Sequence, residues 1–234
     1  VGVRGACKPP KVSDMRFYAK RIYHYGYLSI VMQMLYVVYI VILNVILAGF
    51  SDAAVTVLGL YYKAQSFFFI LQTCIVPLLS YNFTRRSYER CRETMRDALL
   101  VSLAFMVVGI LCFTLLPEQL MRLFSKSEEV IAIGRAAFPI IGSSFLAAVF
   151  SLMTPVFFQA IGNGLASLML SLTRQIFVLV PVFWACSKIS LNSTWIAFPV
   201  AELIAGALGM MLYVRQLSLW HLPLDVRRKP AKTR

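Results

Sequence analysis

Apolar residues fill six long segments of this chain, and short polar stretches separate them. A helix needs roughly 20 apolar residues to cross the ~30 Å hydrocarbon core of a bilayer. The pattern predicts spans at Tyr27–Phe50, Val55–Leu79, Ala98–Leu116, Ala136–Ala160, Leu165–Cys186 and Trp195–Val214. Strands of that length would leave backbone polar groups unpaired in lipid, so the fold class is an all-α polytopic membrane protein. Six transmembrane helices in 27–217 form one bundle, too small to divide into domains.

Two amphipathic stretches flank the spans. In residues 1–26, Met15, Tyr18, Ile22 and Tyr25 recur every three or four positions, with Arg16, Lys20 and Arg21 on the other side. Such a segment suits the membrane surface, and the spacing predicts that the chain lies there before turning in. Pro117–Arg135 reads as a counterpart on the opposite side, with Leu120, Leu123 and Phe124 toward lipid and Lys126, Glu128 and Glu129 solvated. Residues 218–234 form a basic tail.

Composition agrees: the hydrophobic fraction is 59% and the mean hydropathy +0.75, above the ~45–50% apolar usage of soluble domains. A net charge of +13 on a soluble chain would point to nucleic acid. Here the charges instead follow topology, and no nucleic-acid partner is implied. Six Lys or Arg precede the first span, five lie in the second loop and six follow the last span, while the fourth loop is bare. That makes 17 on one side, against four in the first, third and fifth loops. The positive-inside rule places the richer side, with both termini, in the cytoplasm. A multi-pass plasma (inner) membrane protein is expected.

Polar residues inside the spans fall on helical faces. The first span aligns Gln33, Tyr36, Ile40 and Asn44; the second aligns Lys63, Ser66, Ile70, Thr73, Pro77 and Ser80, with Gln65, Phe69 and Gln72 beside them. The fifth offers Ser167, Ser171, Arg174, Val178 and Pro181, and the sixth Pro199, Glu202, Gly206, Gly209 and Tyr213. Buried charges and amides at mid-bilayer cost a few kcal/mol each, so these faces turn toward one another or toward water. Two readings stand: interhelical hydrogen bonding with close small-residue packing, or a wet cavity that admits a solute. Pro77, Pro139, Pro155, Pro181 and Pro199 lie inside or at the edge of spans, as in transporters with bent helices and equally in membrane helices that merely tolerate proline.

Arg174 and Glu202 are candidates for a buried charge pair. Arg174 lies roughly 13 Å into the membrane from Leu165 at 1.5 Å per residue. Glu202 lies about 12 Å in from the opposite end. Adjacent antiparallel helices bring them within reach, and a structural pair is favoured over a proton relay.

Chemistry of other kinds has little footing. The cysteines Cys7, Cys74, Cys91, Cys112 and Cys186 sit at scattered depths without metal-ligand spacing, and His24 and His221 have no metal-binding neighbour. No catalytic residues, no metal and no cofactor are implied, and Gly162-Asn163-Gly164 is a helix break, since no strand precedes it. Of the sequons at Asn82 and Asn192, only the second falls on the external side. The chain begins with Val and has no signal peptide ahead of its first span, so it reads as the later part of a longer protein or a gene start placed late.

Specific residues then bring a family into view. Tyr62-Lys63-Ala64-Gln65-Ser66-Phe67, followed by Gln72, Pro77, Tyr81-Asn82-Phe83 and Tyr88-Glu89-Arg90, resembles the multidrug and toxic compound extrusion (MATE) family. So does Phe158-Gln159-Ala160-Ile161-Gly162, leading through Ser171-Leu172-Thr173-Arg174-Gln175 to Ala197-Phe198-Pro199. The resemblance covers about residues 20–220 and matches helices seven to twelve, the carboxy-terminal lobe. It implies twelve-helix antiporters with two six-helix lobes, which export organic cations and amphipathic drugs in exchange for sodium ions or protons. The partners implied are membrane lipid, the drugs themselves and the missing N-terminal six-helix lobe. On this resemblance Gln33, Tyr36, Asn44, Lys63, Ser66 and Gln72 line half of the substrate cavity, with Phe150 and Met153 as apolar wall. Two departures stand out. Thr84-Arg85 replaces a glycine found in many relatives, and the first four spans hold no Asp or Glu where some members bind the coupling ion.

Lys63 fits a cationic substrate poorly. The alternatives are a flippase for lipid-linked saccharides, with Lys63 and Arg174 on the pyrophosphate, or a six-helix scaffold without transport of its own.

Overall fold

The computed structural model describes residues 12–68 and 71–220; the expectations for Cys7, His221 and the basic tail from residue 221 on lie outside the described residues, while residues 218 and 219 of that tail belong to the last described helix. Eleven α-helices follow one another among these residues: α1 (Val12–Ala48), α2 (Asp52–Phe68), α3 (Leu71–Thr84), α4 (Tyr88–Leu115), α5 (Pro117–Arg122), α6 (Glu128–Gly142), α7 (Phe145–Ala160), α8 (Gly164–Leu172), α9 (Val180–Ser187), α10 (Leu191–Thr194) and α11 (Ala197–Leu219), with a π-helical turn at Thr173–Leu179 joining α8 to α9. No strand occurs among them.

Four stretches are long and apolar enough to cross a bilayer: Gly26–Ala48, Tyr88–Leu115, Gly164–Ser187 and Leu191–Leu219. α6 and α7 pass the same test together, bent by 61°. The chemistry of that bend is local. Pro139 brings no N–H into α6, and the hydroxyls of Ser143 and Ser144 donate to the carbonyls of Ile140 and Ile141, each at 2.6 Å. Such back-bonding competes with the helical ladder and bends it. A Cβ on Gly142 would come within 2.9 Å of the Phe113 Cβ, so the bend is pressed onto α4 where only glycine fits.

Three expected boundaries differ. The second span, Val55–Leu79, falls on two helices, α2 and α3, with residues 69 and 70 outside the described set. The amphipathic stretch continues into the first span without a break at Gly26, giving one 37-residue helix. The Pro117–Arg135 stretch is two elements rather than one surface helix, and α6 begins inside it at Glu128. Met121 is fully buried there against Gly134, where α5 folds back on α6.

α7 runs through the middle of the lobe, packed chiefly on α11 and also on α3, α4 and α8. Small residues permit the closest crossing: a Cβ on Gly206 would stand 3.1 Å from the Ala147 carbonyl oxygen, and one on Gly209 3.0 Å from the Thr154 Cβ. This is the small-residue packing expected where lipid supplies no hydrophobic drive between helices. At one end of the lobe Phe113 stacks on Phe138 at 4.5 Å and leans on Phe145 at 4.8 Å. At the other, Trp220 stacks on Tyr88 at 4.8 Å and packs beside Phe83 and Phe157.

Two turns close helices through left-handed residues. After α7, Gly162 takes φ +81°, Asn163 N–H reaches back to the Phe158 carbonyl at 2.9 Å, and the Asn163 side chain accepts from Ala166 N–H to start α8. After α3 the same role falls to Arg86, at φ 56°, with Ser87 N–H on the Asn82 carbonyl at 3.0 Å. The special position of this turn is therefore Arg86, one residue beyond the Thr84-Arg85 pair.

Candidate functional site

The exposed side of α2 differs from every long apolar helix around it. α1 exposes Val37, Val38, Val41 and Val45, α4 exposes Leu100, Val101, Val107, Val108 and Leu111, and α11 exposes Leu203, Ile204 and Met211. On α2 the described exposed positions are Asp52, Thr56, Gly59, Lys63 and Ser66, and no large apolar side chain described there is exposed. Their spacing of four, three, four and three residues makes one straight helical stripe. Its polar and small residues have nothing to offer acyl chains. Thr56 Oγ1 donates to the Asp52 carbonyl at 3.0 Å and Ser66 Oγ to the Tyr62 carbonyl at 2.8 Å, which satisfies each hydroxyl proton and leaves the oxygen lone pairs facing outward. Gly59 leaves open space where a Cβ would stand.

Lys63 lies about 17 Å along the axis from Asp52 at 1.5 Å per residue, inside the second span predicted from the sequence. An ammonium held at mid-bilayer costs about 2.5–3.5 kcal/mol against lipid, which favours a hydrated face over a lipid-facing one. Lys63 has no hydrogen-bond or ion-pair partner among the described residues. Beside it, Tyr62 joins a tyrosine cluster, with ring centroids 6.4 Å from Tyr36 and 6.3 Å from Tyr39. Tyr39 and Tyr61 are buried, while Tyr36 is half-buried at the rim, edge-on to Tyr39 at 5.4 Å.

The other expected cavity residues divide. Gln33 is exposed and Asn44 half-buried on α1, and neither hydrogen-bonds to a described residue. They border the helix's apolar exposed arc. Gln72 belongs to α3, and its side chain lies outside the described set. Phe150 is half-buried, with its Cβ turned to Gly206 of α11. Met153 is fully buried and forms no cavity wall. α7 enters the interior after the Ser143–Ser144 bend, and the helices packed around it, α3, α4, α8 and α11, leave Met153 no exposed surface.

A second polar constellation sits inside the lobe. Arg174 Nη2 donates to Glu202 Oε1 at 2.6 Å, and Arg174 Nε lies 3.0 Å from both carboxylate oxygens. Only 10% of the Arg174 side chain and 4% of the Glu202 side chain are exposed. Ser151 Oγ on α7 donates to Glu202 Oε2 as well. A desolvated pair holds together only when its hydrogen-bonding capacity is met, and here three donors meet the carboxylate. The π-helical turn carries Arg174. Pro181 has no N–H and crowds the carbonyl four residues back, and the ladder widens before it, with Val180 N–H bonding the Gln175 carbonyl five residues away.

Below the pair is a cavity of about 160 Å³ lined by Met32, Ser151, Pro155, Gln159, Ser167, Ser171 and Gln175 among others. Ser167, Ser171 and Arg174 of the fifth-span stripe therefore share this cavity with α7, whereas Pro181 at its far end is exposed and lines an apolar groove with α1. Ser167 and Ser171 point at the Met32 sulfur, at 3.4 and 3.8 Å. Residue spacing carried a signal for the α7 side, since Ser151, Pro155 and Gln159 recur every four positions, although sequence reasoning did not single out Ser151 as the third partner of the pair. It likewise passed over Thr56 and Gly59, whose small size signals a face only beside exposed neighbours. No group of three or more possible metal ligands occurs among the described residues.

Comparison with known proteins places this geometry. The MatE family model matches residues 29–184, more than half of the chain. The chain is 22% identical over 197 residues to the multidrug export protein MepA of Staphylococcus saprophyticus, covering 82% of itself and 43% of that protein. A crystal structure of a MATE in the straight conformation superposes with a TM-score of 0.79 at 17% identity, over 91% of this chain and 48% of the other. A MOP superfamily transporter from Pyrococcus furiosus, whose binding pocket is described as reversed in polarity, gives 0.79 at 18% identity over 95% and 50%. The chain thus spans about half the length of the relatives it matches. It is a multi-pass helical membrane protein, and it belongs to the MatE family, the MATE transporters.

Proposed function

We propose that this chain is the carboxy-terminal half of a secondary active efflux transporter in the plasma membrane, with both termini cytoplasmic. Its partner is an amino-terminal six-helix lobe, and the substrate cavity forms between the two. The observation that supports this reading is the free face of α2: its described exposed positions are polar or small, in a lobe whose other long helices expose valine, leucine and isoleucine. A scaffold without transport has no use for a hydrated stripe with an uncompensated ammonium at mid-membrane. The substrates on this reading are amphipathic drugs, organic cations among them by family analogy, exchanged for sodium ions or protons. Arg174–Glu202 serves as a structural pin between the last two spans, since the carboxylate is fully engaged. The flippase alternative loses one of its two anion-binding residues, because Arg174 is buried and committed to Glu202.

Expressed alone in cells lacking efflux pumps, the chain is expected to leave drug accumulation unchanged. Expressed with a matching amino-terminal lobe, it is expected to lower accumulation, and Gly59→Trp, which fills the stripe, to abolish the effect. Unaltered efflux in Gly59→Trp would place the substrate path elsewhere. Complementation of a flippase-deficient strain by the paired lobes would favour the lipid-linked saccharide reading instead.

A further inference from the structure

We infer that Lys63 is the binding point for an oxyanion, and that the compounds held against this lobe are amphipaths carrying a carboxylate, sulfonate or phosphate, alone or within a zwitterion. The inference rests on the transport reading and narrows its substrate class. Its first support is a charge inventory. The acidic residues of the described chain other than Glu202 are Asp14, Asp52, Glu89, Glu93, Asp97, Glu118, Glu128 and Glu129, all in the membrane-flanking parts of helices or in loops. Glu202, the one acid within the six spans predicted from the sequence, accepts from Arg174 and Ser151 and is 3% exposed. Nothing in the described lobe is therefore placed to neutralise Lys63.

The second support is position. Lys63 sits on the exposed stripe of α2, inside the second span predicted from the sequence, where water is the low-cost surrounding for an ammonium and low-dielectric walls strengthen any charge held against it. A compact ammonium with three rotatable donors accepts oxyanions of several shapes, without the fixed fork an arginine would impose. The third support is what adjoins it. Tyr62 and Tyr36 pack ring against ring at 6.4 Å, with Tyr36 half-buried at the rim. They supply an aromatic shelf for the apolar part of an amphipath, and Ser66, one turn on, adds a hydroxyl oxygen. A cation held at the same place would meet the ammonium without a compensating carboxylate.

The test uses the full chain in phosphatidylcholine nanodiscs and two probes with one aromatic core and opposite charge, pyrenesulfonate and pyrenemethylammonium. Saturable binding is measured by fluorescence for the wild type, Lys63→Gln, Lys63→Glu and Lys188→Glu. Lys188, exposed at the end of α9 with its ammonium over the Trp184 ring, changes the total charge equally and controls for it. The wild type is expected to hold the sulfonate about tenfold more tightly than the ammonium. Lys63→Gln should bring the two together and Lys63→Glu should reverse the order, while Lys188→Glu keeps the wild-type ratio. A wild-type preference for the ammonium, or a ratio that Lys63→Glu leaves in place, overturns the inference and leaves the transport reading standing. Saturable binding of neither probe also overturns the inference, and the transport reading then stands or falls on drug accumulation with the paired lobes.

Discussion

Removing one member of the Arg174–Glu202 pair gives the sharpest test of how this lobe is held together. In Glu202→Ala the guanidinium stays where only 10% of its side chain is exposed, loses its carboxylate at 2.6 and 3.0 Å, and gains no other acid within reach. Uncompensated buried charges of this kind cost about 3–5 kcal/mol. At about 1.4 kcal/mol per factor of ten, the folded-to-unfolded ratio falls by roughly two to three and a half orders of magnitude. Arg174→Ala should cost a similar amount. The double replacement Arg174→Met/Glu202→Met removes both charges while keeping volume, and Ser151 Oγ retains the Ala148 carbonyl at 3.1 Å as acceptor, so no buried donor is orphaned. That variant should return to within about 2 kcal/mol of the wild type. Thermal unfolding in detergent, followed by fluorescence-detected size exclusion, reads the series. Single variants as stable as the wild type, or a double variant as impaired as the worse single, would refute the reasoning.

Other expectations are simpler. Gly209→Ala drives a methyl into Thr154 on α7 and should destabilise by about 1–3 kcal/mol, with partial recovery in Gly209→Ala/Thr154→Ala, both read as shifts in the thermal midpoint. Arg86→Gly relieves a left-handed backbone at φ 56° and should raise stability by about 1 kcal/mol in the same assay. Cysteines at Thr56, Gly59 and Ser66 should react with a charged, water-soluble thiol reagent at rates far above cysteines at Leu100 or Val108; equal rates would mean that α2 faces lipid. A topology reporter fused near Arg90 should read cytoplasmic and one near Lys126 external.

The helices were legible in the chain because bilayer thickness dictates their length, and the Arg174–Glu202 meeting was legible because two charges at equal depth on adjacent antiparallel helices have few other partners. What periodicity could not supply was the identity of the neighbour. The family resemblance put Met153 beside Lys63 in one cavity, yet the packing around α7 buries the first while the second stays exposed on α2. The Ser143–Ser144 bend escaped notice because its cause is hydroxyl back-bonding, which hydropathy does not register. The stripe on α2 was half seen: Lys63 and Ser66 carried a polar signal, whereas Thr56 and Gly59 gain meaning only from the valines and leucines that their neighbouring helices display.

Trp220 closes the final helix by lying flat on Tyr88 and beside Phe83 and Phe157, so the last described turn acts as a clasp over the junction of α3 and α4. Shortening the protein by a few residues at that point would unfasten two helices distant in sequence. Affinity tags and fusion partners therefore belong after residue 220, and a truncation library should show a sharp drop in yield once that ring is lost.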